Sequence, residues 1–140
     1  MSDKYFLDTN IIIYSFDDNS KEKQAIANEL IVQGISESNA FISYQVVQEF
    51  VNVATRKFMI PLTNSDCKLY VDKVLTLLWD VYPSKELIHS ALDLSERWRY
   101  SFYDALIIAA ALEASCTILY SEDLQHEQKI FSLQIINPFL

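Results

Sequence analysis

At 140 residues, 51% of them hydrophobic and only 3 Pro and 1 Gly, the chain reads as one compact domain over 1–140, which excludes a disordered or low-complexity polypeptide. The longest apolar run, Ala105 to Leu112, falls short of the roughly 18 residues a membrane span needs. Asp3 and Lys4 lead straight into an apolar segment with no secretory-signal pattern, so a cytoplasmic protein without a membrane partner is expected. A net charge of −8 argues against binding nucleic acid with the whole surface, though cations gathered on an acidic cluster would cancel part of it.

Lys4 to Leu7 reads as a short buried strand, followed by Asp8-Thr9-Asn10 and an apolar helical turn, Ile11 to Phe16. Asp17-Asp18-Asn19 is a turn, and Ser20 is placed to cap a helix that ends before Gly34. Ala40 to Ile42 is a second strand, and Ser43 caps a helix running to about Lys57. Thr63-Asn64-Ser65-Asp66 is a capping box opening a helix with Leu69, Tyr70, Val74, Leu77 and Leu78 inward. Val81-Tyr82 is a brief strand before Pro83, and Ser84 caps a helix to about Trp98. Ser101-Phe102-Tyr103-Asp104 is another capping box, opening a helix through Ala114 that has no polar face and must be buried nearly all round. Thr117 to Tyr120 and Phe131 to Ile136 are the last strands. Short apolar strands alternating with helices define an α/β fold with a central, mostly parallel sheet flanked by helices. Cys67 and Cys116 sit among apolar residues and read as small buried hydrophobes; with only His89 and His126 beside them, a zinc site is not expected.

Four acidic residues fall at segment junctions: Asp8, Glu49, Asp104 and Asp123. Gathered without basic partners they would repel, by roughly 4 kcal/mol for a pair about 4 Å apart at an effective dielectric of ~20. A fold that assembles them neutralises them with metal or protons. Each also has an ordinary reading. Asp8 suits an N-cap, and Thr9 and Asn10 beside it offer a hydroxyl and an amide to orient a carboxylate or a water. Glu49 shares a helical stripe with Gln45, Asn52 and Arg56, which is either a solvated face or the wall of a cleft. Asp104 serves a capping box, yet it also heads a buried helix, whose N-terminus favours negative charge. Asp123 follows a strand with Ser121 and Glu122 between, and Glu122 is a rival to it.

Together the stretches YFLDTNIIIY, ISYQVVQEFVNV, SFYDALIIAAAL and ILYSEDLQH resemble the PIN-domain ribonucleases, in particular the VapC-type toxins of toxin–antitoxin systems, over essentially the whole chain. Carried over position by position, the resemblance places the family's acidic metal site on Asp8, Glu49, Asp104 and Asp123, and its strand-end hydroxyl on Ser121, with Thr9 and Asn10 supporting. It implies RNA cleavage dependent on Mg²⁺ or Mn²⁺, an antitoxin partner and a homodimer. Many relatives carry Gly where this chain has Glu127, and Gly is common where it has Ser115; both departures bear on loop shape and leave the acids intact. For the RNA backbone, Arg56, Lys57, Arg97 and Arg99 are the candidates, against an ordinary reading as surface or helix-terminal cations. Two other readings stand beside this one. A phosphoacceptor signalling domain would need an Asp after Ala40–Ser43 and a Lys after Thr117–Tyr120, and has neither. A PIN-like fold that binds a partner without turnover would share every motif.

Overall fold

The computed structural model describes residues 3–140. Six strands form one sheet in the order β3-β2-β1-β4-β6-β5: β1 Tyr5–Leu7, β2 Ala40–Ser43, β3 Trp79–Val81, β4 Ile118–Tyr120, β5 Lys129–Ile130 and β6 Leu133–Ile136. All neighbours pair in parallel except β5 and β6, which form an antiparallel hairpin. The helices are α1 Thr9–Tyr14, α2 Lys21–Glu37, α3 Tyr44–Arg56, α4 Asn64–Tyr70, α5 Thr76–Leu78, α6 Lys85–Trp98 and α7 Phe102–Glu113, with a π-helical turn, Val71–Leu75, joining α4 to α5.

From β1 the chain moves outward to β2 and β3, then returns to the other side of β1 to lay down β4. Strand order therefore reverses between β1 and β4, and a crevice opens at the carboxyl ends of the strands on either side of such a reversal. Phe6, Leu7, Ile11, Ile42, Phe50, Ile108 and Leu119 fill the core with no exposed surface. As its sequence requires, α7 is buried along Ala105 and Ile107 to Ala111, packing against β2, β4 and α6. Both cysteines are buried and free, and burial pushes the Cys116 thiol up to about 12. Among the described residues no helix is long and apolar enough to cross a membrane.

Several local expectations are corrected. Helix α2 runs through Gly34 to Glu37 and ends in a left-handed Ser38. Ser20 occupies its N-cap position without a side-chain capping bond, whereas Ser43, Thr63, Ser84 and Ser101 all accept the expected backbone N–H. Leu69 and Leu77 point outward, 57% and 62% exposed, because the inward stripe runs one position away, through Cys67, Tyr70, Val71, Val74, Leu75 and Leu78. Helix α1 begins two residues early, at Thr9, because Asp8 caps it. The third strand is Trp79–Val81 and excludes Tyr82. Phe131 is not in the last strand but in the β5–β6 turn, with φ 55°. Ser115 and Glu127, the two positions at which the resemblance leads one to expect Gly, both adopt left-handed backbone, φ 60° and 69°, a conformation that costs a residue with a Cβ about 1–2 kcal/mol.

Candidate active site

The parallel register of β1 and β4 fixes one wall of the site. Leu7 pairs with Tyr120, and the ladder continues one step as the Asp8 N–H donates to the Tyr120 carbonyl at 3.0 Å. Asp8 and Ser121 thus leave adjacent strands side by side, and Ser121 Oγ donates to Asp8 Oδ2 at 2.7 Å. Asp8 caps α1 as well, its Oδ1 accepting the Thr9 N–H at 2.7 Å. Asn10 ties the two junctions together. Its Nδ2 lies 3.3 Å from Asp8 Oδ2 and 3.2 Å from Asp123 Oδ2, while its Oδ1 accepts the Glu122 N–H at 3.2 Å.

The remaining acids arrive from α3 and α7. Glu49 is held at both oxygens: Thr9 Oγ1 donates to Oε1 at 2.5 Å, and Gln45 Nε2 donates to Oε2 at 3.3 Å. Gln45 Nε2 also donates to the Tyr103 carbonyl at 3.2 Å, and Gln45 Oε1 is buried without a partner among the described residues. An unsatisfied buried acceptor costs about 1–3 kcal/mol. Asp104 heads α7, whose first turn is closed by the Asp104 N–H on Ser101 Oγ at 3.4 Å, so the cap uses its backbone and not its carboxylate.

Asp8, Glu49, Asp104 and Asp123 line one cavity of about 340 Å³, together with Thr9, Asn10, Gln45, Asn52 and Lys57. The rival Glu122 is turned away, bonded through Oε1 to the Tyr14 hydroxyl and through Oε2 to Lys23 Nζ, each at 2.5 Å. Partial burial works against the Glu122 charge, but the Lys23 and Tyr14 bonds outweigh it and hold the carboxyl below its ordinary value. No ion pair among the described residues involves a cavity acid. Of the basic candidates only Lys57 lines this cavity. Arg97 lies elsewhere, over the Trp98 and Phe131 rings beside a different cavity, and Arg56 and Arg99 are exposed outside the lining.

Burial drives Asp8 up to about 6, against the Ser121 and Thr9 hydrogen bonds that favour its charge, with Glu49 and Asp123 adding repulsion. Among the described residues no group of three or more Asp, Glu, His or Cys side chains stands close enough to enclose a metal ion. The four carboxylates that line the cavity nevertheless offer only oxygen, and none of them is in an ion pair among the described residues. Hard Mg²⁺ is commonly held by one or two carboxylates with water completing its shell, and carboxylate is the ligand type this cavity offers. Of the stripe that the sequence placed beside Glu49, Gln45 and Asn52 line the cavity and Arg56 does not. The i, i+4 spacing puts Gln45 within reach of Glu49, but its bond to Tyr103 left no sequence signal.

The strand order and flanking helices define a single α/β domain with acids gathered beside the carboxyl ends of β1 and β4. The PIN domain family model matches residues 5–131, and the chain belongs to that family. Membership sets aside the phosphoacceptor reading. Solved structures with the same fold include a toxin–antitoxin complex from Klebsiella pneumoniae (16% identity, 96% of this chain and 98% of that one, TM-score 0.67). FitAB bound to the IR36 DNA fragment is similar too (15% identity, 97% and 96% covered, TM-score 0.67). A third is Mycobacterium tuberculosis VapC20, a sarcin–ricin loop cleaving toxin (18% identity, 86% and 90% covered, TM-score 0.61). No curated protein sequence matches the chain.

Proposed function

We propose that the protein is a divalent-metal-dependent endoribonuclease that hydrolyses RNA phosphodiester bonds as the toxin of a toxin–antitoxin pair. PIN domains are generally nucleases. One observation carries the reading: acids from four separate segments line a single cavity with no ion-pair partner among the described residues. Asp8, Asp104 and Asp123 would hold Mg²⁺, or Mn²⁺ in its place, directly or through water, with Glu49 completing the set. Such an ion, when bound, lowers the pKa of water, orients the phosphate and stabilises charge on the leaving oxygen.

The chain's own residues do the positioning. Ser121, Thr9 and Asn10 fix both oxygens of Asp8, so its charge is aimed and not mobile. Glu49, held at both oxygens, keeps lone pairs on the cavity side to steer the attacking water and take its proton. Lys57 supplies positive charge at the cavity wall for a phosphate oxygen. The toxin–antitoxin complex among the similar structures supports an antitoxin as partner. The exposed Tyr44, Tyr82, Ile88 and Tyr103 around one uncharged groove support a homodimer.

Incubation with total RNA, with and without Mg²⁺, tests the reading on wild type, Asp8→Asn and Asp104→Asn. Expected is cleavage by the wild type alone, abolished by EDTA. Equal cleavage by all three proteins, or cleavage indifferent to EDTA, sinks it.

A further inference from the structure

We infer that Gln45 is a positioning residue of this site, aiming the Glu49 carboxylate and locking the Asp104-bearing turn of α7 against α3; the inference rests on the nuclease reading above. Gln45 occupies the first turn of α3 and is buried. One nitrogen, Nε2, serves two acceptors on different elements: Glu49 Oε2 at 3.3 Å, one turn further along α3, and the Tyr103 carbonyl at 3.2 Å, adjacent to Asp104. That pair of contacts fixes the orientation of the amide. Exchanging its oxygen and nitrogen would set three acceptors against one another, with one of them a carboxylate.

Fixing it has a visible consequence, because Gln45 Oε1 is left buried and unpartnered among the described residues. Buried polar groups are nearly always satisfied in native proteins, so each exception calls for a reason; Asn39 Oδ1, Trp79 Nε1 and Trp98 Nε1 share this state among the described residues, but only Gln45 lines the cavity. A residue kept only for packing would be better served by an apolar side chain of the same length.

The contact also completes a circuit. Thr9, next to Asp8, donates to one Glu49 oxygen, and Gln45, tied to the residue before Asp104, donates to the other. Glu49 is therefore the midpoint of a hydrogen-bonded path joining the β1–α1 junction to the start of α7. Without the Gln45 amide, only Thr9 orients the carboxylate, and repulsion from neighbouring acids turns it away from Asp8. Misplacement of a positioned group acts on turnover more than on substrate binding.

The test compares wild type, Gln45→Met, Glu49→Gln and the double variant, with Asp8→Asn as control. Gln45→Met keeps length and burial but loses the donor. It is expected to unfold at the wild-type temperature or slightly above, to keep the RNA KM, and to lose roughly 10–100-fold in kcat, as residues supporting a ligand shell do. In the Glu49→Gln background the same substitution is expected to cost clearly less in kcat than it does in wild type, because the part that acts through Glu49 is already gone and only the tie to the Tyr103 carbonyl remains to be lost. Wild-type kcat in Gln45→Met, an equal loss in both backgrounds, or a fall in unfolding temperature that accounts for the lost rate each overturns the inference. Should Gln45→Met fail to fold, Gln45→Leu, which is also apolar and removes the donor without adding charge, is measured by the same criteria. An inactive Asp8→Asn beside a fully active Gln45→Met overturns the Gln45 role alone, whereas a fully active Asp8→Asn overturns the nuclease reading and this inference with it.

Discussion

Asp8 answers to two opposed demands. As the cap of α1 it accepts hydrogen bonds that favour its charge, yet burial and the nearby Glu49 and Asp123 favour its protonated form, and the balance lies at about 6 against an ordinary 3.8. Between those values the folded chain binds more protons than the unfolded one. Its stabilising share is fully present below about 4 and is lost as pH rises through about 6. The shift corresponds to on the order of 3 kcal/mol at neutral pH. In EDTA, then, wild type is expected to lose stability between pH 4.5 and 7.5 relative to Asp8→Asn, which cannot ionise there. Asp8→Asn should unfold at the higher temperature at pH 7.5, with the gap closing towards pH 4.5. Divalent cation added at pH 7.5 should narrow the gap by stabilising wild type alone. Thermal unfolding by circular dichroism measures all three arms, and a gap that is constant with pH contradicts the account.

At the level of elements, α2 shows how a single glycine can carry a different message from the one its type first conveys. Gly34 is not a stop: a Cβ there would lie 2.1 Å from Ala40 Cβ and 2.9 Å from the Tyr5 hydroxyl, so the residue lets α2 lie directly on β2. Gly34→Ala would gain about 1 kcal/mol of helix propensity but force apart a packed helix–strand contact, at about 1–3 kcal/mol or more. A net loss of stability is expected, read as a lower denaturation midpoint; an unchanged or higher midpoint would show that the contact yields. The same distinction governs what was legible in the chain. Ser43, Thr63, Ser84 and Ser101 were readable as caps because a cap is decided within four residues. Most strands were readable because each is a short apolar run, although β5 is too short to leave a pattern. The turning away of Glu122 was not readable, since it depends on Lys23, 99 positions distant. Nor was the bond from Gln45 to Tyr103, 58 positions apart, which no local period encodes.

At the scale of the molecule, charge and apolar surface point in different directions. A chain of net charge −8 repels both RNA and a second copy of itself at long range. Contact with RNA must therefore rest on local cations, whereas contact between copies must rest on surface that carries no charge. One face meets the second condition. Tyr44, Tyr82, Ile88 and Tyr103 are 40%, 59%, 45% and 67% exposed around a groove of about 210 Å³ whose lining contains no Asp, Glu, Lys or Arg. Aromatic side chains on an uncharged patch have the character of an interface core. If two copies meet there, salt should act oppositely on the two associations. Raising ionic strength screens the mutual repulsion of the copies and strengthens the dimer, while it weakens any association that releases counterions from RNA. Sedimentation velocity at low and high salt is expected to show a dimer that tightens with salt, and Tyr82→Lys with Ile88→Asp is expected to give a folded monomer whose unfolding temperature, unlike that of wild type, does not depend on protein concentration. A wild type that remains monomeric at every salt concentration, or a double variant that still dimerises, would mean that this face serves a different contact.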